Sequence, residues 1–158
     1  MTTHTTKRIF PYPADYVFDL VTDVERYPDF LPYWRRAEIY ARDGNTYHTD
    51  QEIWMGMIRE RFRTKTVLKQ FTRIDVTLSE GFFRDLAIRW EFEPMSDGGC
   101  EVVFTQSWEL QSFLKQQLVS LLLAENSHST INAFEKRAHE LCGIGSRIQH
   151  DHHSVTTH

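Results

Sequence analysis

Several residue groups in this chain have types and spacings that could do chemistry. Glu125 and His128 stand three apart, the Glu-x-x-His spacing that supplies half of a di-iron carboxylate site in a helix bundle. The second copy that such a site needs is absent from the sequence. His139-Glu140 lacks the following His of a zinc-protease helix. Glu60 shares an alternating strand face with Ile58 and Phe62, where desolvation would raise a carboxyl pKa and suit it to acid–base work. A lone interior Glu is more often a hydrogen-bonded structural group. His150, His152, His153 and His158 crowd the end of the chain, and imidazole is a common metal ligand. A flexible tail is the simpler reading, so no metal site is expected. No Gly-x-Ser-x-Gly elbow, P-loop or dinucleotide fingerprint occurs. The expectation is therefore no catalytic residue and no cofactor.

The last group is a basic stripe, Arg59, Arg61, Arg63, Lys65 and Lys69. It could meet phosphates of RNA or lipid, or it could be a solvated sheet face neutralised by its neighbour strand. A two-residue turn at Gly56-Met57 would set Trp54 opposite Arg59, Glu52 opposite Arg61, Asp50 opposite Arg63 and His48 opposite Lys65. That places opposite charges across from one another, with Met55, Ile53, Gln51, Ile58, Glu60, Phe62 and Thr64 on the inner face. The whole chain has 18 basic and 22 acidic side chains, a formal charge of −4, so no global field draws it to DNA. No apolar run reaches membrane-span length, and MTTHTTKRIF has no secretory character. Cys100 and Cys142 form no metal or redox spacing. A reducing, cytoplasmic compartment is expected, with the inner membrane's surface as a peripheral station.

The elements that would position these groups follow from periodicity. A strand over about 3–10 leads through Pro11 and Pro13 into a helix to about Asp23, and a helical turn holds Glu25 to Phe30. Extended runs follow at about 35–43, 46–56, 58–70, 72–79, 83–93 and 99–110, divided by Asp43-Gly44-Asn45, Glu80-Gly81 and Asp97-Gly98-Gly99. Leu86, Ile88, Trp90 and Phe92 alternate with Asp85, Arg89 and Glu91; Val102, Phe104, Trp108 and Leu110 alternate with Glu101, Ser107 and Glu109. One wet face and one dry face is the antiparallel pattern. Ser112 reads as the N-cap of a long helix running to about Cys142 and stopped by Gly143. The class is α+β: a curved antiparallel sheet wrapped around a long C-terminal helix. Residues 1–143 form one domain, and 144–158 a disordered His-rich tail.

The interior so assembled holds many large apolar groups. Leu114, Leu118, Leu121 and Leu122 mark one helix face, Ile131, Phe134, Ala138 and Leu141 a rotated one, and Leu121-Leu122-Leu123-Ala124 is apolar nearly all round. The sheet adds Gln51, Glu60, Thr64, Thr66 and Gln106. Each would cost about 1–3 kcal/mol if buried without a partner. Either these groups pair with one another, or they border a cavity holding a polar-tipped apolar ligand.

VFDLVTDVERYPDFLPYW, LAIRWEFEPMSDGGCEVVFTQSWELQSFL and INAFEKRAHEL, in that order, resemble the coenzyme Q-binding branch of the START-like, or polyketide cyclase-like, superfamily. The resemblance covers about residues 3–142, and VFDLVTDVERYPDFLP is its most specific part. It implies a helix-grip fold with an apolar tunnel that binds a lipid-like ligand, typically ubiquinone, without covalent chemistry. It implies a tunnel lining of Trp90, Phe92, Phe104, Leu118 and Leu122, and a mouth segment of Tyr27, Pro28, Phe30, Leu31 and Pro32. That segment is either a lid or an aromatic plug. A similar bacterial branch is described as a toxin that blocks ribosomal subunit association. RFRTKTVLKQ is more basic, and Glu125-Asn126-Ser127-His128 more polar, than the family's pattern. The expected ligand contacts are Phe30, Leu31, Phe62, Trp90, Phe92, Phe104, Gln106, Trp108, Leu118, Leu121 and Leu122, with Glu60 and Thr64 as polar members of the cavity. The expected function is a quinone or lipid chaperone in respiration. The alternatives are a ribosome-associated inhibitor and a small cyclase or dehydratase, the latter using Glu60 or His128.

Overall fold

The structure, a computed structural model, describes residues 2–117 and 130–142. Seven strands make one antiparallel sheet: β1 (Thr2–Phe10), β2 (Trp34–Asp43), β3 (Thr46–Met55), β4 (Ile58–Lys69), β5 (Arg73–Gly81), β6 (Phe83–Pro94) and β7 (Cys100–Leu110). Their order is β1-β7-β6-β5-β4-β3-β2. β2 to β7 are a meander of neighbours, and β1 closes on the last strand. The period-2 pattern is the cause: in β4, Ile58, Phe62, Thr64 and Thr66 are buried while Arg59, Arg61, Arg63 and Lys65 face outward. The β3–β4 hairpin has the register expected of a two-residue turn at Gly56-Met57, Trp54–Arg59, Glu52–Arg61, Asp50–Arg63 and His48–Lys65. Gly56 takes a positive φ of 61° at its turn.

Between β1 and β2 lie the helix α1 (Ala14–Thr22) and a 3-10 turn, Val24–Asp29. Pro13 stands at the α1 N-cap, and Ala14, Val17, Phe18, Leu20 and Val21 are buried. Pro28 lies within the 3-10 turn, which ends as the Phe30 and Leu31 amides donate to the Tyr27 carbonyl at 3.2 and 2.8 Å. Tyr33 has a φ of 73°, and the chain then enters β2 at Trp34. The broken stretch is therefore one residue shorter than expected.

Residues 113–117 and 130–142 are helical. Ser112 caps the first segment: its Oγ accepts from the Lys115 amide at 3.4 Å and its carbonyl from the Gln116 amide at 2.9 Å. In the second segment Ile131, Phe134 and Ala138, spaced three and four apart, are fully buried. They join Phe10, Trp90, Phe92, Val102 and Phe104 in the largest core cluster. The Tyr16 hydroxyl donates to the Ala138 carbonyl at 2.7 Å, and Arg8 pairs with Glu135 at 3.0 Å. The fold is thus the helix-grip α+β arrangement. The stop at Gly143, the metal half-motif Glu125/His128 and the His-rich tail lie outside the described residues.

β5 meets β4 at a bulge between Arg63 and Thr64, and Gly81 closes it with a φ of 119°. A Cβ there would sit 2.6 Å from the Arg61 carbonyl oxygen and 2.7 Å from Phe62 Cα, both backbone. Gly81→Ala should destabilise the protein by about 2–3 kcal/mol, lowering the melting temperature by about 4–12 °C. Calorimetry checks this, and an unchanged midpoint would mean that the bulge is not formed.

Candidate functional site

The register places one residue from each of six strands in a single row across the inner face: His4, Gln106, Ile88, Val76, Thr66 and Tyr47. All six line one cavity. Its volume is about 140 Å³, counted as space for the centres of water molecules, where about 10–15 Å³ suffices for one water. The cavity explains an irregularity in burial. In β6, Leu86, Trp90 and Phe92 are buried, but Ile88 on the same face is only half-buried. In β7, Gln106 likewise breaks the buried run of Val102, Phe104, Trp108 and Leu110. One wall is built by Ile74, Trp90, Phe104 and Phe134; the other by Ile53, Phe62, Leu86 and Trp108. Ile88 packs against both clusters, at the centre of the floor.

The segment from Tyr27 to Trp34 forms the side of this chamber. Tyr27, Leu31, Pro32, Tyr33 and Trp34 line it. The Tyr27 ring stands edge-on to Trp34 and Phe134 at 6.2 and 5.4 Å, and its hydroxyl donates to the Val21 carbonyl. Burial raises that phenol's pKa well above its ordinary value. Burial likewise pushes Tyr47 up to about 12, against a lowering hydrogen bond with Thr66. The segment is therefore packed wall, while its inner surface faces the cavity.

Polar groups on the inner face are largely paired. Trp34 Nε1 donates to Gln51 Oε1 at 2.7 Å, Gln51 Nε2 donates to Thr49 Oγ1 at 2.8 Å, and Thr49 and Thr64 share a hydrogen bond of 2.5 Å. Pairing and a cavity thus coexist. On the inner face of β7 the half-buried Gln106 amide and the buried Trp108 Nε1 have no hydrogen-bond partner among the described residues.

Of the residues expected at the ligand, Leu31, Phe62, Trp90, Phe104, Gln106 and Trp108 line the cavity together. Four do not. Phe30 ends the 3-10 turn and turns its ring onto Phe134, at 5.1 Å, with the Arg137 guanidinium over it. Phe92 has the right parity but lies one pair further along β6, stacked on Trp90 and edge-on to Phe18 of α1. Thr64 is engaged by Thr49. Glu60 is not in the cavity: it pairs with Lys115 at 2.7 Å in an outer groove beside Phe82 and Gly81. The reason is its place at the sheet's end, where helical residues 113–117 reach it. Leu118, Leu121 and Leu122 lie outside the described residues. Sequence reasoning missed Ile53, Ile74, Val76, Leu86, Ile88 and Phe134 as lining. Strand alternation was the signal for the five strand residues, among which Leu86 and Ile88 share a face with Trp90, and helical spacing with Ile131 and Ala138 was the signal for Phe134.

The basic stripe lies on the opposite, outward face. Trp54 is held between the guanidinium groups of Arg35 and Arg59, 4.2 and 4.1 Å from its ring centre, and donates to Glu52 at 2.7 Å. Asp50 collects Arg61 at 2.9 Å, Arg36 at 3.4 Å and Arg63 at 3.7 Å. Burial pushes its carboxyl pKa up, but the Arg61 hydrogen bond and the three positive charges outweigh that and hold it below the ordinary value. A depressed carboxylate contributes stability above its unfolded pKa of about 3.9, and that stability is lost as pH falls through the folded value. Asp50→Asn should therefore cost roughly 1 kcal/mol at neutral pH, discounted because the arginines are half-exposed. The melting-temperature gap between the two proteins should close below about pH 4. A gap that is constant with pH would exclude this role.

Elsewhere, Cys100 is buried, which pushes its thiol up to about 11, and Cys142 is exposed; both are free. Among the described residues no cluster of three or more His, Cys, Asp or Glu could hold a metal, and no helix is long and apolar enough to cross a membrane.

Comparison with known proteins gives a consistent family. The profile described as polyketide cyclase/dehydrase and lipid transport matches residues 10–135. The ribosome association toxin RatA of Pseudomonas aeruginosa is 28% identical over 144 residues, covering 90% of this chain and 100% of the relative. The mitochondrial coenzyme Q-binding protein COQ10 of Dictyostelium discoideum is 27% identical over 142 residues, covering 87% and 69%. The solution structure of an 18 kDa protein from Caulobacter crescentus superposes with a TM-score of 0.73 at 30% identity, covering 90% and 99%.

Proposed function

We propose that this chain, which belongs to the polyketide cyclase/dehydrase and lipid transport family, binds one neutral hydrophobic molecule of the isoprenoid-quinone class and carries it unchanged. The observation behind this reading is the row of half-buried inward residues, Gln106, Ile88 and Val76, facing a cavity whose described lining includes no Asp, Glu, Lys or Arg. Apolar burial supplies the affinity, roughly 25 cal/mol per Å² before the costs of association. A relative that matches 87% of this chain over 69% of its own length is named for coenzyme Q binding, which supports the quinone class. Met57, Phe113 and Leu114 are 99%, 75% and 79% exposed, which favours brief contact with a membrane surface during transfer. A cyclase or dehydratase would need an acid or base at the ligand. Glu60 is engaged elsewhere, and His4 at the edge strand is the one lining imidazole among the described residues.

Delipidated protein titrated with decylubiquinone should show saturable quenching of tryptophan fluorescence at one ligand per chain, because Trp34, Trp90 and Trp108 border the cavity. Linear, unsaturable quenching would contradict the reading.

A second reading has its own observation. The outward face of β2–β4 carries Arg35, Arg36, Arg59, Arg61, Arg63, Lys65 and Lys69 against Glu38, Asp43, Asp50 and Glu52, an excess of three positive charges. Such a face could meet ribosomal RNA, in keeping with the relative named a ribosome association toxin. Salt-sensitive co-sedimentation with ribosomal subunits, lost on joint charge reversal of Arg59 and Arg63, would favour it; sedimentation unchanged by the reversal would not.

A further inference from the structure

We infer that the cavity has a head-group end on β7, built from the Gln106 amide and the Trp108 indole N–H, that selects a neutral ligand with a hydrogen-bond-accepting oxygen. This rests on the proposed carrier function and specifies the ligand's chemistry. Several lining polar groups are already engaged: Gln51 with Trp34 and Thr49, Tyr27 with the Val21 carbonyl, and Tyr47 with Thr66 and, at 3.3 Å, the Thr22 carbonyl. Of the other lining groups, Thr130 opens the second helical segment and His4 stands opposite Gln106 on β1, so unused capacity centres on β7 beside His4. Gln106 and Trp108 are two apart on β7, so their side chains share the inner face. Gln106 lies half-buried on the cavity floor with no hydrogen bond among the described residues. Trp108 is 2% exposed and lines the same cavity, and its Nε1 has no partner among the described residues.

An unpaired buried N–H costs about 1–3 kcal/mol. The Trp108 N–H is covered in this conformation, so an acceptor that reaches it must displace neighbouring side chains of its cluster. Relief of the unpaired donor offsets that displacement. The group it accepts is neutral, because no charged side chain among the described residues lines the cavity to balance an ion. A carbonyl or ether oxygen fits both constraints. The rest of the ligand would lie along Ile88 and Val76 toward Trp90 and Phe134.

Two probes of similar shape separate this from general greasiness: decylubiquinone, and decylbenzene, which lacks oxygens. The full chain should bind decylubiquinone more tightly. Gln106→Met and Trp108→Phe should each weaken decylubiquinone about fivefold to thirtyfold more than they weaken decylbenzene. If the unaltered protein binds both probes equally, or the variants weaken both equally, the head-group assignment is wrong while the carrier reading stands. If neither probe binds, the carrier reading itself falls and this inference with it. A measurement on the unaltered protein guards against a misfolded Trp108→Phe. In ¹⁵N-resolved NMR the Trp108 indole resonance should move downfield with decylubiquinone and not with decylbenzene, and an unmoved resonance would overturn the assignment.

Discussion

Ile88→Trp should abolish uptake of a hydrophobic ligand while leaving the fold close to its original stability. Ile88 is central to the cavity floor, flanked across the sheet by Val76 and Gln106 and touching both core clusters. In a filled core an added ring costs about 1–3 kcal/mol or more, because neighbours must leave their rotamers. Here the space in front of Ile88 is open, so an indole can occupy the volume a ligand would use. The signature is a separation of effects: decylubiquinone binding falls at least a hundredfold, while the melting temperature moves by only a few degrees, roughly 1 kcal/mol or less. Titration and calorimetry on the same preparation check it. Binding that survives would place the ligand elsewhere, and a large loss of stability would mean that the interior at Ile88 is filled.

Trp90→Ala should have the opposite profile, with stability and binding lost together. The Trp90 ring packs on Phe104 at 4.3 Å, on Phe134 at 5.0 Å and stacks on Phe92 at 6.3 Å. It both joins the helix to the sheet and walls the cavity. Truncating a buried aromatic costs about 3–5 kcal/mol, so the melting temperature should fall by about 6–20 °C. Ligand affinity, measured well below that midpoint, should also drop, because a large part of one wall is gone. Phe92→Ala is the control. Phe92 is as buried but lies behind Trp90 under α1, so its truncation should cost comparable stability and spare most of the affinity. Equal binding defects in the two variants would show only that loosening the core impairs uptake.

The contrast between Trp90 and Phe92 also marks where the sequence becomes illegible. Strand faces could be read because side chains alternate with period 2, and the β3–β4 register because a two-residue turn at Gly56-Met57 sets Asp50 and Glu52 against arginines. Parity tells inward from outward, but it does not tell lining from filling. Phe92, Ile88 and Trp108 share one parity class, yet one lies under α1, one faces open space and one has a buried N–H without a partner. What divides them is where α1 and residues 130–142 rest on the sheet, a long-range matter that local pattern does not encode. Glu60 failed for a related reason. Its inward parity suggested the cavity, but at the sheet's end Lys115 is within reach, and an ion pair there needs no interior. The broken aromatic stretch is legible as unusual, but the edge-on packing of Tyr27 and Phe30 on each other and on Phe134 of the second helical segment is a long-range contact that local pattern does not encode.

The claim that the sheet and helix enclose room for a guest is tested most directly by intermolecular nuclear Overhauser effects between decylubiquinone and ¹³C-labelled methyl groups of the full chain. The expected result is contact with Ile74, Val76, Leu86 and Ile88, which line the cavity from β5 and β6. Contacts confined to the exposed Met57 and Leu114, with the four interior methyls unaffected at saturation, would contradict it.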